Sequence, residues 1–351
     1  MGADTVRVAS AQYVIERFTQ WKALEDHLSG WIGEAADNGA QLLLFPEYAS
    51  LEMVGLTERR RGGERRSPDR HLLGSLPVDP LERRRAESLH WATTVIQPLV
   101  PRYLSLFSSL AARHAVYIMA GSVPIEHPDG SRTNRAFIFT PDGSMGWQDK
   151  MVLSRWEREV WHMTAGGEVR VFDTAFGPIG INICYDIEFP LVARRQAEAG
   201  ARIILSQCCC DSLRGYYRVR VGARARALEN QAYVIQSVAM GDSSWLAGFG
   251  RIVGFAGVFG PPDLGPHESG IIAQSKKAEP EWVYATLDLK AIDRIRGDNI
   301  IGNQLEWSAH MRIAKAATGR LTSVASSAPE QRRRTKLPKV RLISSHNPEL
   351  L

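Results

Sequence analysis

No apolar run in the sequence approaches the roughly 20 residues needed to span a bilayer. The first residues, Met1 to Val8, lack the basic segment and apolar stretch of a secretory leader. Val6 stands where a myristoylation signal starting at Gly2 needs Ser or Thr. Cysteine is scarce: Cys184 and the consecutive Cys208, Cys209 and Cys210 are the only four. Three adjacent cysteines make a poor disulfide framework, and no Cys-x-x-Cys or Cys/His spacing points to zinc. The reading is therefore of reduced thiols, no metal and a cytoplasmic location. Repeats at solenoid or propeller periods are also missing.

What is present is the composition of a globular protein, with 44% hydrophobic and 23% charged residues in 351. The formal charge of +5 is not spread over the chain. Residues 316–351 hold seven basic side chains, Arg320, Arg332, Arg333, Arg334, Lys336, Lys339 and Arg341, against Glu330 and Glu349. The body, residues 1–315, is neutral. A neutral body with a basic, Ser- and Pro-containing tail argues for one domain and a solvated extension, and against a surface built to follow nucleic acid.

Val6 to Tyr13 reads as a strand, and Trp21, Leu24, Leu28, Trp31 and Ala35 recur at helical steps. Asn38-Gly39 stops that helix, and Gln41 to Phe45 is a short apolar run suited to a strand covered on both faces. The opening is thus strand, helix, strand. Residues 55–90 are rich in Arg, Glu, Gly and Pro and read as a charged surface insertion. A helix ending near Arg113, a strand at 116–120 and a hairpin turn at Pro141-Asp-Gly143 follow. Strands are expected at 169–173, 179–183, 201–206, 232–238, 254–259 and 282–287, with helices at 190–199 and 217–230. Alternation of this kind predicts a single α/β domain over residues 1–315.

Three reactive residues fall at strand ends or in loops beside them, where α/β folds open a crevice. Glu47 follows the strand 41–45, Lys150 follows the hairpin, and Cys184 follows Ile179 to Ile183. Together they can carry out acyl transfer without a metal or organic cofactor. A thiol attacks a carbonyl, a carboxylate takes its proton, and an ammonium with the backbone N–H of Tyr185 stabilises the oxyanion. Taken singly, each has a plain alternative: Cys184 a buried small hydrophobe, Glu47 a cap, Lys150 a surface cation.

The segments around them resemble the nitrilase, or carbon-nitrogen hydrolase, superfamily over residues 5–297. LLLFPEYA (42–49), DKMVL (149–153), GINICYDIEFP (180–190) and RARALENQAYVIQ (224–236) match four of its blocks in order. The resemblance implies an αββα sandwich, a Glu47–Lys150–Cys184 triad and a homodimer or larger homo-oligomer. Many members carry an accessory glutamate between the lysine and the cysteine. Glu159 fits its spacing better than Glu157, though the two compete.

Cys184-Tyr185-Asp186 is closer to the amidase-like branches than to true nitrilases. Where many of those have Arg, this chain has Glu188. Facing a pocket, it would repel an anionic substrate; the preferred reading turns it outward to Arg194 or Arg195. Cys208 and Cys209, in the run that ends at Cys210, are candidates for a pocket wall, as are Trp156 and Trp161, which could equally be core. Arg224 and Arg226 read as structural partners of Glu229 or its neighbours. The expected activity is hydrolysis of a small linear amide. Hydrolysis of an N-carbamoyl compound, hydrolysis of a nitrile, and a catalytically silent interaction module are the alternatives.

Overall fold

The computed structural model describes residues 4–57, 90–246, 249–263, 267–297 and 301–316. Most of the predicted charged insertion, and the basic tail beyond residue 316, lie outside the described residues. The chain divides into two units, Met1–Ser308 and Ala309–Leu351. The described part of the second is helical.

Strand β1 (Thr5–Val14), helix α1 (Trp21–Asp37) and strand β2 (Leu42–Leu44) form the βαβ opening. α1 buries Leu24, Leu28, Ile32 and Ala35, three or four residues apart, and ends where Gly39 takes φ 77°. After α2 (Val54–Thr57) and α3 (Val100–His114) come β3 (Tyr117–Met119), β4 (Val123–Glu126), β5 (Arg132–Phe139) and β6 (Met145–Asp149). Helix α4 (Arg155–Glu159) is followed by β7 (Val171–Phe172), β8 (Ile179–Ile183), α5 (Pro190–Glu198), β9 (Ile203–Cys208), α6 (Leu213–Asn230) and β10 (Tyr233–Asp242). Last come β11 (Arg251–Ile252), β12 (Gly257–Phe259), β13 (Ile271–Gln274), β14 (Glu281–Asp288), α7 (Leu289–Gly297) and α8 (Asn303–Ala316).

The strands run in the order β4-β5-β3-β2-β1-β10-β9-β8-β7, with β6 on β5 and β14 antiparallel along β1. Side-chain parity shows how the layers stack. In the first half of the sheet Val6, Val8, Leu42, Leu44, Met119, Ala136 and Ile138 point into one core, shared with the second half and with α5 and α6. Their neighbours Ala9, Ala11, Leu43, Phe45, Ile118 and Phe137 point into another, under α1 and α3. A strand alternates its faces every residue, so both faces of this half-sheet are covered, and the layers read helix, sheet, sheet, helix. The αββα sandwich expected from the sequence is the observed fold.

The pairing also places the site. β1, β2, β3, β8, β9 and β10 are mutually parallel. β5 runs against β3, and β6 runs against β5, which restores the common direction. The segments after β2, β6, β8 and β9 therefore leave the sheet at the same edge. They begin with Phe45, Lys150, Cys184 and Cys209.

Candidate active site

Lys150 is the hub of a buried polar cluster. Its Nζ donates to Glu47 Oε1 and to Glu157 Oε1, each at 2.8 Å, and all three side chains are shut from solvent. Asn134, on β5, donates its Nδ2 to the same two oxygens at 3.0 and 3.2 Å. Tyr48 adds its hydroxyl to Glu157 Oε1 at 2.7 Å. The other Glu157 oxygen accepts the N–H of Ser154 at 2.8 Å, completing a capping box at the start of α4. Breaking a buried ion pair of this kind by removing one partner costs about 3–5 kcal/mol, because it leaves an uncompensated charge.

Cys184 begins a 3₁₀ turn, Cys184–Glu188, at φ 48°, in the left-handed region that a side chain rarely occupies. What holds it there is Asp186. Its carboxylate accepts the N–H of Ile183 at 2.9 Å, and those of Met151 and Val152 at 3.1 and 2.7 Å. One buried acid thus ties the cysteine turn to the strand end that carries Lys150.

Burial sets the protonation states. It pushes the Glu47 carboxyl well above the usual carboxylate range, and the adjoining Cys184 sulfur adds to this against the pull of Lys150. Burial works against the Lys150 ammonium, yet Glu157 and Glu47 outweigh it and hold its pKa well above the ordinary value. Burial likewise disfavours ionised Glu157, but Lys150 keeps its carboxyl below the ordinary value. For Cys184, contact with Cys208 favours the thiolate, while Cys210 and burial prevail and push the thiol up to about 12. At neutral pH the cluster therefore holds a thiol, a charged lysine and one carboxylate with raised proton affinity.

A cavity of about 270 Å³ opens onto this cluster. Glu47, Lys150, Glu157 and Cys184 reach it, as do Tyr185, Glu188, Cys209, Trp156 and Trp161. Several sequence-based expectations need correction. Glu157, not Glu159, meets Lys150; Glu159 lies two residues further along α4, on its other side, and pairs with Arg155 on the outside at 2.6 Å. Glu188 does not turn to Arg194 or Arg195, which both pair with Glu198. It faces the cavity and is bound by Arg218 of α6, whose side chain is exposed. Cys208 sits inside the sheet and does not line the cavity, whereas Cys210 does. Spacing along the chain gave no reason to expect a thiol cluster, but the sulfurs of Cys184, Cys208 and Cys210 all lie within 4.8 Å of one another. Arg226 pairs with Glu229 at 2.9 Å, and Arg224 donates to the carbonyl of Ser269.

Sequence reasoning overlooked Asn134, Tyr48 and Asp186. Tyr48 and Asp186 lie inside the segments that carried the resemblance, next to Glu47 and two residues after Cys184. Asn134 is a polar residue on a buried strand face, a signal in its own right, since such a group must find partners.

A model of the carbon-nitrogen hydrolase family matches residues 7–296. The Bacillus subtilis protein named Probable hydrolase YhcX is 30% identical over 299 residues, covering 85% of this chain and 53% of its own. The ω-amidase NIT2-A of Xenopus laevis is 28% identical over 172 residues, 43% of this chain and 61% of its own. The chain thus spans between half and two thirds of these curated relatives. Among solved structures, Saccharomyces cerevisiae Nit3, a nitrilase-superfamily member, superposes with TM-score 0.62 at 21% identity, covering 86% of this chain and 96% of that one. An E41Q mutant amidase from Nesterenkonia sp. AN1, carrying an acetamide moiety on its active-site cysteine, gives 0.58 at 18%, with 89% and 97% covered.

Proposed function

The chain belongs to the carbon-nitrogen hydrolase family, and from that premise we propose that it is a thiol amidohydrolase. It cleaves a small linear amide to a carboxylate and ammonia through a thioester on Cys184. The observation that carries this reading is the Lys150 ammonium, held 2.8 Å from both Glu47 and Glu157 at the wall of the cavity that Cys184 enters.

The chemistry follows from the protonation states. Cys184 is a thiol at rest, so it needs a base as it attacks, and Glu47, which burial makes a stronger base than an ordinary carboxylate, accepts that proton. The carbonyl oxygen becomes an oxyanion beside Lys150 and the backbone N–H of Tyr185. Collapse of the tetrahedral adduct breaks the C–N bond, and Glu47 returns the proton to the leaving nitrogen, which departs as ammonia. Water, deprotonated by Glu47, then attacks the thioester and releases the carboxylate and the free thiol. Glu157 and Asn134 do not touch the reacting atoms; they fix Lys150 and Glu47.

The cavity wall bears on the substrate. Lys150 is the one cationic side chain among the described residues that line it, and Glu47 and Glu157 already neutralise it. Asp211 faces the same space, and so does Glu188, whose charge Arg218 partly offsets. An amide with a neutral or cationic arm is therefore favoured over a dicarboxylic monoamide, whose free carboxylate would meet like charge. We further propose a homo-oligomer formed through α5 and α6, where Leu191, Leu213, Tyr217, Val221 and Leu228 are exposed.

The test is a panel of neutral, cationic and anionic amides together with N-carbamoyl compounds, reading ammonia and carbon dioxide. Ammonia alone, from neutral or cationic amides, with all turnover lost in Cys184→Ala of unchanged circular dichroism, is the expected result. Carbon dioxide release would assign carbamoyl hydrolysis instead, and turnover surviving in Cys184→Ala would remove the thiol mechanism.

A further inference from the structure

The proposed hydrolysis uses one sulfur, yet the structure assembles three. Ile183 of β8 is in register with Gln207 of β9. Cys184 opens the turn directly after that pair and Cys208 ends β9, so the two lie side by side where neighbouring strands run about 4.7–4.9 Å apart. Cys210 is two residues further on, and its sulfur comes within 3.3 Å of that of Cys208. All three Sγ atoms lie within 4.8 Å of one another. Cys208 does not reach the cavity, and the hydrolytic steps use neither it nor Cys210.

We propose that Cys184, Cys208 and Cys210 form a tris-thiolate site for a soft metal cation, Zn²⁺ in the first instance, whose occupation silences the nucleophile. A Zn–S bond is about 2.3 Å, so two sulfurs on a tetrahedral zinc sit roughly 3.8 Å apart. The present cluster reaches that spacing with shifts of about an ångström or less. The donors are all sulfur, which selects thiophilic ions and rejects Mg²⁺ and Ca²⁺. Cys184 and Cys210 both line the cavity, which gives the cation a way in and leaves the fourth ligand position toward that space. Binding converts three thiols and Zn²⁺ into a trithiolate complex of charge −1 and releases three protons. The Lys150 ammonium borders the same cavity and offsets part of that charge. With its sulfur bonded to zinc, Cys184 cannot attack a carbonyl, so metal and substrate compete.

The experiment uses the full chain, reduced and freed of metal by a chelator. Zn²⁺ affinity is measured by competition with a chromophoric chelator, and Cd²⁺ is added separately to read the ultraviolet thiolate-to-cadmium charge-transfer band. Expected are one ion per chain, the Cd²⁺ band, and simultaneous protection from iodoacetamide under Zn²⁺ of Cys184 and Cys210, the two cluster thiols that reach the cavity. Cys208→Ser should weaken Zn²⁺ binding by more than the roughly 10–100-fold that loss of an outer-shell partner costs. Equal Zn²⁺ affinity in Cys208→Ser, absence of the Cd²⁺ band, or protection of Cys184 alone would each overturn the site. Should Cys208→Ser fail to fold, the protection pattern of the unaltered chain decides. None of these readouts depends on turnover, so a failure here is separable from a failure of the amidohydrolase reading.

Discussion

At the scale of single residues, the decisive contrast is between two glutamates two positions apart. Glu157 shares its Oε1 among Lys150, Tyr48 and Asn134, whereas Glu159 sits outside with Arg155. Glu157→Gln keeps the shape but removes the charge that balances Lys150. It should lower kcat about 100-fold, the cost of displacing a reacting group by about an ångström, with KM little changed. Glu159→Gln should leave both within twofold; steady-state kinetics on the two variants checks the assignment. A second residue-level expectation concerns pH. Burial, and then Arg132, lower the pKa of His90 to about 4, and Arg132 Nη1 contacts His90 Nδ1 at 2.9 Å. The unfolded chain takes up that proton near pH 6.5, the folded one only near 4. Stability from this group is therefore intact above the unfolded value and falls as the pH drops from about 6.5 to about 4. His90→Gln should flatten the dependence of Tm on pH in that window.

At the scale of elements, the site depends on how closely α6 approaches the cysteine turn. A Cβ on Gly222 of α6 would lie 2.7 Å from the carbonyl oxygen of Ile187 and 3.1 Å from Cα of Glu188. Both are backbone atoms of the turn that starts at Cys184, so a side chain cannot be accommodated by rotating a neighbour away. Gly222→Ala is expected to destabilise the protein by about 1–3 kcal/mol, the usual cost of overpacking. It should also lower turnover by displacing the turn; urea unfolding and kinetics on one preparation would show both effects. Asp186 acts at the same scale, since its three N–H partners come from two segments and lock their relative position.

At the scale of the molecule, one consequence follows from which surface is left bare. Leu213, Tyr217 and Val221 recur every four residues on α6 and form an exposed apolar stripe, with Leu191 exposed on α5. Val221→Asp places a charge in that stripe and should shift the protein toward monomer in light scattering, with the circular dichroism spectrum retained. A variant that remains oligomeric would remove α6 from the interface.

How much of this was legible beforehand depended on whether the signal was local. The βαβ opening, β8 ending at Cys184, and α5 between Pro190 and Gly200 follow from periodicity and from Pro and Gly, which act on the chain where they stand. Glu47, Lys150 and Cys184 could be singled out because each lies at or just beyond a strand end inside a recognisable segment. Tertiary structure alone decided between Glu157 and Glu159, because helical phase, not distance from a motif, determines which of them faces Lys150. It also turned Glu188 toward the cavity and Arg218, since the curvature of one short 3₁₀ turn is not written in composition. Above all it joined Cys184 to Cys208 and Cys210: parallel strand pairing brings together residues more than twenty positions apart, and register is a property of the sheet that no single segment contains.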